Sequence, residues 1–251
     1  MGFARDATGS TFLTTQAVSV GSPYALLKFA PNATGVPSPV ASASLSNVTA
    51  SQGEVALDGS GQVYVALNGE IAEFSSNLKM QIATLSGPKT DLTSTPSHIS
   101  ALTVDASGNL YVAMSPPGCC KGSILAFAPL VPGSNDVAPI RSLAATSDGL
   151  VTDQNGDVFT FGATSEFVTE YPAGLQGDAP VQFGLPNFYS VVGAGNIAVS
   201  GDHLFASSLQ IGGNGLTPSS PVLFRFDIAN PNAPPIPFIS YDLTPKSEPS
   251  R

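Results

Sequence analysis

Side chains able to do chemistry are few in this sequence and unevenly placed. Cys119 and Cys120 are adjacent, within Pro116-Pro117-Gly118-Cys119-Cys120-Lys121-Gly122. Neighbouring Cα atoms lie about 3.8 Å apart across a trans peptide, whereas ordinary disulfides span roughly 4.4–6.8 Å. The pair is therefore either a strained vicinal disulfide or two thiols, and an oxidising compartment favours the disulfide. Lys121 either lowers the pKa of a neighbouring thiol or is a plain surface charge. There are two histidines, His98 and His203, and they lack zinc-ligand spacing. Glu54, His98, Asp148 and Asn196 form an oxygen-rich set that could hold a divalent cation. Set against that reading, the same groups serve simply as solvated polar residues.

The elements that position these residues follow from composition and repetition. The 251 residues contain 25 Gly and 22 Pro, and only 11% are charged, which disfavours long helices. Hydrophobic residues make up 42%, enough for one substantial core, and a single all-β domain over 1–251 is expected. With 9 basic against 18 acidic residues, the net charge of −9 has the wrong sign for nucleic acid. No apolar run is long enough to span a membrane. The opening MGFARDATGS does not read as a signal peptide, yet few charges and no Trp fit a secreted, periplasmic or cell-surface protein.

Internal repetition is the strongest signal. A D-x-x-G-x-x-aromatic pattern occurs as Asp6…Gly9…Phe12, Asp58…Gly61…Tyr64, Asp105…Gly108…Tyr111 and Asp153…Gly156…Phe159, then in eroded form as Ser200…Phe205. The starts are 52, 47, 48 and 47 residues apart. Each copy reads as four short strands, a to d, with a tight a–b turn built on the Asp and the Gly. Strand c carries a second recurring aromatic: Phe29, Phe74, Phe127, Tyr171 and Phe226. Period-two apolar spacing within a unit of about 47 residues indicates propeller blades rather than a helical solenoid. Five four-stranded blades are expected, at approximately 2–48, 49–95, 96–145, 146–190 and 191–245; six is the alternative. His203 is placed in the a–b turn of the fifth blade, at the surface.

Residues 102–113, Leu-Thr-Val-Asp-Ala-Ser-Gly-Asn-Leu-Tyr-Val-Ala, resemble the bacterial "VDASGNLYVA" repeats of the NHL-like β-propellers, and Phe29-Ala-Pro and Phe127-Ala-Pro resemble their "FAP" segment. The resemblance covers nearly the whole chain. It implies the fold while leaving function open among binding scaffolds, lactonases and lyases. In such propellers the b–c and d–a connections meet at the mouth of a central channel. Here the expanded b–c connections are 15–23, 115–123 and 207–221. Cys119, Cys120, Lys121, Asn196 and Asn214 are therefore the candidate ligand-binding residues. Glu54, Asp148 and His98 are candidates for catalysis, and Glu54, Asn196 and Asp148 for a metal. No cofactor is assigned, a divalent cation being the one open possibility.

The leading expectation is a monomeric, non-catalytic propeller that binds a small molecule, glycan or protein on its loop face. The alternatives are a metal-dependent hydrolase or lactonase, and a fragment or structural repeat module. Gly193-Ala-Gly195-Asn-Ile-Ala198 matches a dinucleotide fingerprint only in form, because a strand follows it instead of a helix.

Overall fold

The computed structural model describes residues 2–15, 24–46, 53–92, 98–115, 122–145, 147–162, 167–173, 180–184, 190–191, 197–211 and 218–240. These residues form five antiparallel sheets and no α-helix. Blade 1 contains β1 (Phe3–Arg5), β2 (Thr11–Thr15), β3 (Tyr24–Phe29) and β4 (Ala41–Leu45). Blade 2 contains β5 (Val55–Leu57), β6 (Val63–Leu67), β7 (Glu70–Phe74) and β8 (Gln81–Leu85). Blade 3 contains β9 (His98–Val104), β10 (Leu110–Ser115), β11 (Ser123–Phe127) and β12 (Arg141–Leu143). Blade 4 contains β13 (Gly149–Thr152), β14 (Val158–Phe161), β15 (Phe167–Tyr171) and β16 (Val181–Gly184). In these four sheets the strands pair in chain order.

Blade 5 departs from the expected plan. Its inner position is shared by β17 (Ser190–Val191) and β18 (Ile197–Ser200), which both pair with β19 (His203–Ile211). β19 then pairs with β20 (Pro218–Asp227), and β20 with β21 (Ile236–Ser240). The connection read as 207–221 is therefore largely strand. Residues 207–211 contain neither Gly nor Pro, so the ladder continues through Ser208↔Val222 and Leu209↔Pro221 before its register shifts. His203 is also re-placed. It is the first residue of β19, paired with Ser200 and Asp227, half-buried and edge-on to Phe205 with ring centroids 6.5 Å apart.

The a–b turn has the same construction four times. One oxygen of the Asp carboxylate accepts the backbone N–H groups two and four residues on. These come from Thr8 and Ser10 at Asp6, Ser60 and Gln62 at Asp58, Ser107 and Asn109 at Asp105, and Asn155 and Asp157 at Asp153, all at 2.8–3.0 Å. The glycine three residues after each Asp has φ of 89°, 82°, 83° and 84°, a left-handed conformation that only Gly adopts without strain.

Beyond the turn, strand b is apolar on both faces, as in Val63-Tyr-Val-Ala-Leu67, because it lies between two neighbouring sheets. Successive side chains point to opposite faces, so alternate residues feed alternate seams. Phe12 packs with Val63, Val65 and Phe74 across the blade 1–2 seam. Tyr64 and Ala56 pack with Leu102, Val112 and Phe127 across the next. Tyr111 meets Leu150 and Val158, and Phe159 meets Leu204 and Phe226. Burying side chains of this size stabilises by about 1.5–3 kcal/mol each.

The outer strands are polar by comparison, and β8 does not end as a bare edge. Thr84 N–H donates to Ser134 C=O at 3.2 Å, and Gly133 N–H donates to Ile82 C=O at 3.1 Å, so the c–d turn of blade 3 covers it.

Asp105 also accepts the Asn109 amide at 2.8 Å and the buried Tyr111 hydroxyl at 3.0 Å, whereas Asp58 adds only the exposed Ser60 hydroxyl. Asp105→Ala is therefore expected to cost about 2–4 kcal/mol in urea denaturation and Asp58→Ala about 1–2 kcal/mol. Equal losses would show that the Tyr111 bond contributes nothing.

Candidate functional site

In an antiparallel a–b pair, the end of strand b lies beside the start of strand a. The Asp turns thus occupy one end of every blade. The other end, called the rim here, carries Thr15, Leu67, Ser115 and Phe161 together with the starts of β5, β9 and β13. Glu54, His98 and Asp148 all sit on this rim: Glu54 just before β5, His98 opening β9, and Asp148 just before β13. Cys119, Cys120, Lys121, Asn196 and Asn214 lie outside the described residues.

Two of the rim carboxylates are placed by the same device. The Thr14 hydroxyl of blade 1 donates to Gly53 C=O at 2.7 Å and accepts Gly2 N–H at 2.8 Å, so it clamps the residue before Glu54 across a seam. The Ser100 hydroxyl of blade 3 donates to Ser147 C=O at 2.6 Å and accepts the Ser115 hydroxyl at 3.1 Å, clamping the residue before Asp148. Ser147 in turn donates to Gly149 C=O at 2.5 Å. The backbones of both acids are fixed further by the ladder: Ala66 N–H donates to Glu54 C=O at 2.9 Å, and Asp148 N–H to Phe161 C=O at 3.0 Å.

Thr14, Ser115 and Ser147 are buried, while Glu54 and Asp148 are half-buried. Burial pushes the Glu54 carboxyl above its ordinary value. His98 pairs with Ser115 in the ladder, which places it beside the second clamp. Among the described residues, no three His, Cys, Asp or Glu side chains gather closely enough to hold a metal ion. Sequence reading found the acids and missed the clamps, since a hydroxyl that reaches a carbonyl 39 or 47 residues away leaves no local pattern.

Two further features lie away from the rim. An open groove of about 640 Å³ runs along the face of blade 1 that points away from blade 2, lined by Phe3, Leu13, Phe29 and Val36 among others. In blade 2, the fully buried Glu73 meets the Tyr64 hydroxyl at 3.4 Å through Oε1, while Oε2 is buried with no hydrogen-bond partner. Burial, followed by the charge of Asp58, raises the Glu73 carboxyl, and burial likewise raises the Tyr64 hydroxyl.

No protein-family model and no curated protein sequence matches the chain. Solved structures do. A luciferin-regenerating enzyme aligns over 96% of this chain and 74% of its own, with a TM-score of 0.60 and 14% identity. Dihydro-heme d1 dehydrogenase NirN, in complex with DHE, aligns over 96% of this chain and 47% of its own, with a TM-score of 0.56 and 14% identity. BamB from Moraxella catarrhalis aligns over 91% of this chain, with a TM-score of 0.51 and 14% identity, and this chain spans 61% of its length.

The fold is a β-propeller.

At these identities the likeness concerns fold alone, and two of the three names are those of enzymes.

Folded Glu73 holds its proton more tightly than the unfolded chain does. Its stabilising contribution is therefore complete below the ordinary carboxylate value of about 4.3 and is lost as pH rises from there through the raised folded value. Glu73→Gln escapes that loss. Urea denaturation should show the variant gaining on wild type between about pH 4 and pH 7; a constant difference would mean that Glu73 does not titrate on unfolding.

Proposed function

We propose that this propeller is a binding module that takes a small polar molecule or glycan at its rim, and that it works outside the cytoplasm. The carrying observation is the paired clamp. Hydroxyls of a preceding blade, the buried Thr14 and the half-buried Ser100, fix the residues before Glu54 and Asp148, leaving two half-buried carboxylates on firmly held backbone. Carboxylates on backbone held this way accept hydrogen bonds from ligand hydroxyl or ammonium groups at an ordering cost confined to their own side chains. The connection bearing Cys119, Cys120 and Lys121 leaves the rim from Ser115, beside the second clamp, and a vicinal disulfide there would offer an apolar platform to a sugar face.

The second reading is hydrolysis, favoured by one observation. A carboxyl raised by burial, as in Glu54, is suited to general acid–base work near neutral pH. In that reading Glu54 would move the proton, or else, ionised, it would join Asp148 and Asn196 in holding a divalent cation that polarises a carbonyl or activates water; the two roles of Glu54 exclude one another.

A thermal-shift screen of mono- and oligosaccharides, run beside elemental analysis of the purified protein, separates the two. The binding reading expects saccharide-dependent stabilisation that drops at least tenfold in apparent affinity in Glu54→Gln and Asp148→Asn. A stoichiometric divalent metal lost in Glu54→Gln, with no saccharide effect, would replace it with the hydrolase.

A further inference from the structure

Each blade exposes an apolar side chain at the same place in its repeat. Strand d begins at or directly after Val40 in blade 1, Met80 in blade 2, Ile140 in blade 3, Val181 in blade 4 and Ile236 in blade 5. All five are between 39% and 61% exposed. Four of them directly follow a proline: Pro39, Pro139, Pro180 and Pro235. Proline cannot donate to a ladder, so it marks where strand d starts in these blades. Single exposed apolar residues are ordinary on a protein surface. One in every repeat is not, because the b–c connections of the same repeats vary, from Asn68-Gly69 in blade 2 to residues 16–23 in blade 1.

The ladders put all five at the Asp-turn end. Val40 N–H donates to Lys28 C=O at 2.7 Å, and Ile140 N–H to Ala126 C=O at 2.8 Å. Val181 pairs with Glu170 and Ile236 with Arg225, while Ser75 N–H donates to Met80 C=O at 2.9 Å. Each of these partners adjoins the strand c aromatic, which lies opposite the start of strand b. Strand d is the outermost of its blade, so the five side chains ring the perimeter of one end face. Only a broad, flat partner touches them all.

Charge narrows the choice of partner. The segments from the end of strand c through strand d carry Lys79, Asp136, Arg141 and Asp178, which cancel, in a chain of net charge −9. Inside the ring the face is acidic, with half-buried Asp58 and exposed Asp202 in the a–b turns. An apolar, uncharged perimeter around carboxylates complements a neutral lipid surface, whose zwitterionic head groups turn their cationic ends outward above apolar chains. Anionic lipid is opposed by the net charge, and two copies face to face would set like charges against each other.

We infer that the Asp-turn face is a docking surface for a zwitterionic lipid bilayer, with Val40, Met80, Ile140, Val181 and Ile236 seated among the head groups. Each side chain contributes little alone. Five on one scaffold act together, because the first contact brings the others to the surface. The rim then points away from the bilayer, so this contact is independent of ligand binding at Glu54 and Asp148.

Phosphatidylcholine vesicles should sediment the protein, and vesicles rich in phosphatidylglycerol should sediment less of it. Met80→Asp combined with Ile140→Asp should weaken the partition by about tenfold with an unchanged circular dichroism spectrum, since both residues are exposed. Phe3→Asp changes an apolar residue that is 65% exposed at the rim end, and should leave partition unaltered. No sedimentation with phosphatidylcholine overturns the inference, as does stronger binding to the anionic vesicles. An equal loss in Phe3→Asp would overturn it too, by showing adhesion without a preferred face. A doubled mass on size exclusion without vesicles, lost in the Met80 and Ile140 double variant, would assign the ring to a second copy instead.

Discussion

One carboxylate oxygen shared between two backbone N–H groups sets the geometry on which the remaining structure depends. At Asp6, Asp58, Asp105 and Asp153 it closes a turn that carries the chain from strand a to strand b. The turn fixes which strand b residue lies opposite which strand a residue. Since a one-residue slip would move every side chain to the other face, it also fixes which seam each residue enters. Local charge–dipole chemistry thereby determines packing between sheets. The fifth copy has Ser200 in place of the Asp, and its blade is the one with a divided inner strand.

This local origin explains what could be read from the amino-acid sequence. The turn, the apolar run of strand b and the strand c aromatic all lie within one repeat, so five sheets are legible in the sequence. The extent of β19 and β20 was not, because ladder pairing carried Ser208 and Leu209 into strand where turn residues nearby had marked a loop. His203 was misplaced for a related reason. Without the Asp, the eroded turn is one residue shorter, and the histidine becomes the first member of the ladder.

The rim shows the complementary case. Glu54, His98 and Asp148 stand out as ionisable side chains in a sequence that is only 11% charged, and all three lie at the same end of their blades. The hydroxyls that hold two of them in place were silent, because Thr14, Ser100 and Ser115 look like ordinary strand residues until their partners are known. A Tyr64–Glu73 pair buried in a seam was equally silent, since alternation predicts which face Glu73 takes and says nothing of what it meets there.

The bonds that join neighbouring blades span similar lengths of chain. Lys28 to Ser76 is 48 residues, Ser86 to Asn135 is 49, Lys89 to Asp136 is 47, and Thr152 to Val104 is 48. Loop-closure entropy grows only with the logarithm of length, so each seam costs nearly the same to form once its predecessor is in place. Such a molecule folds as a nearest-neighbour chain, with stability rising by one blade and one seam at a time. None of these contacts counts blades. Gene duplication or deletion of one repeat would meet the same local chemistry at every junction, which leaves copy number open to evolutionary drift while the architecture of each unit stays fixed.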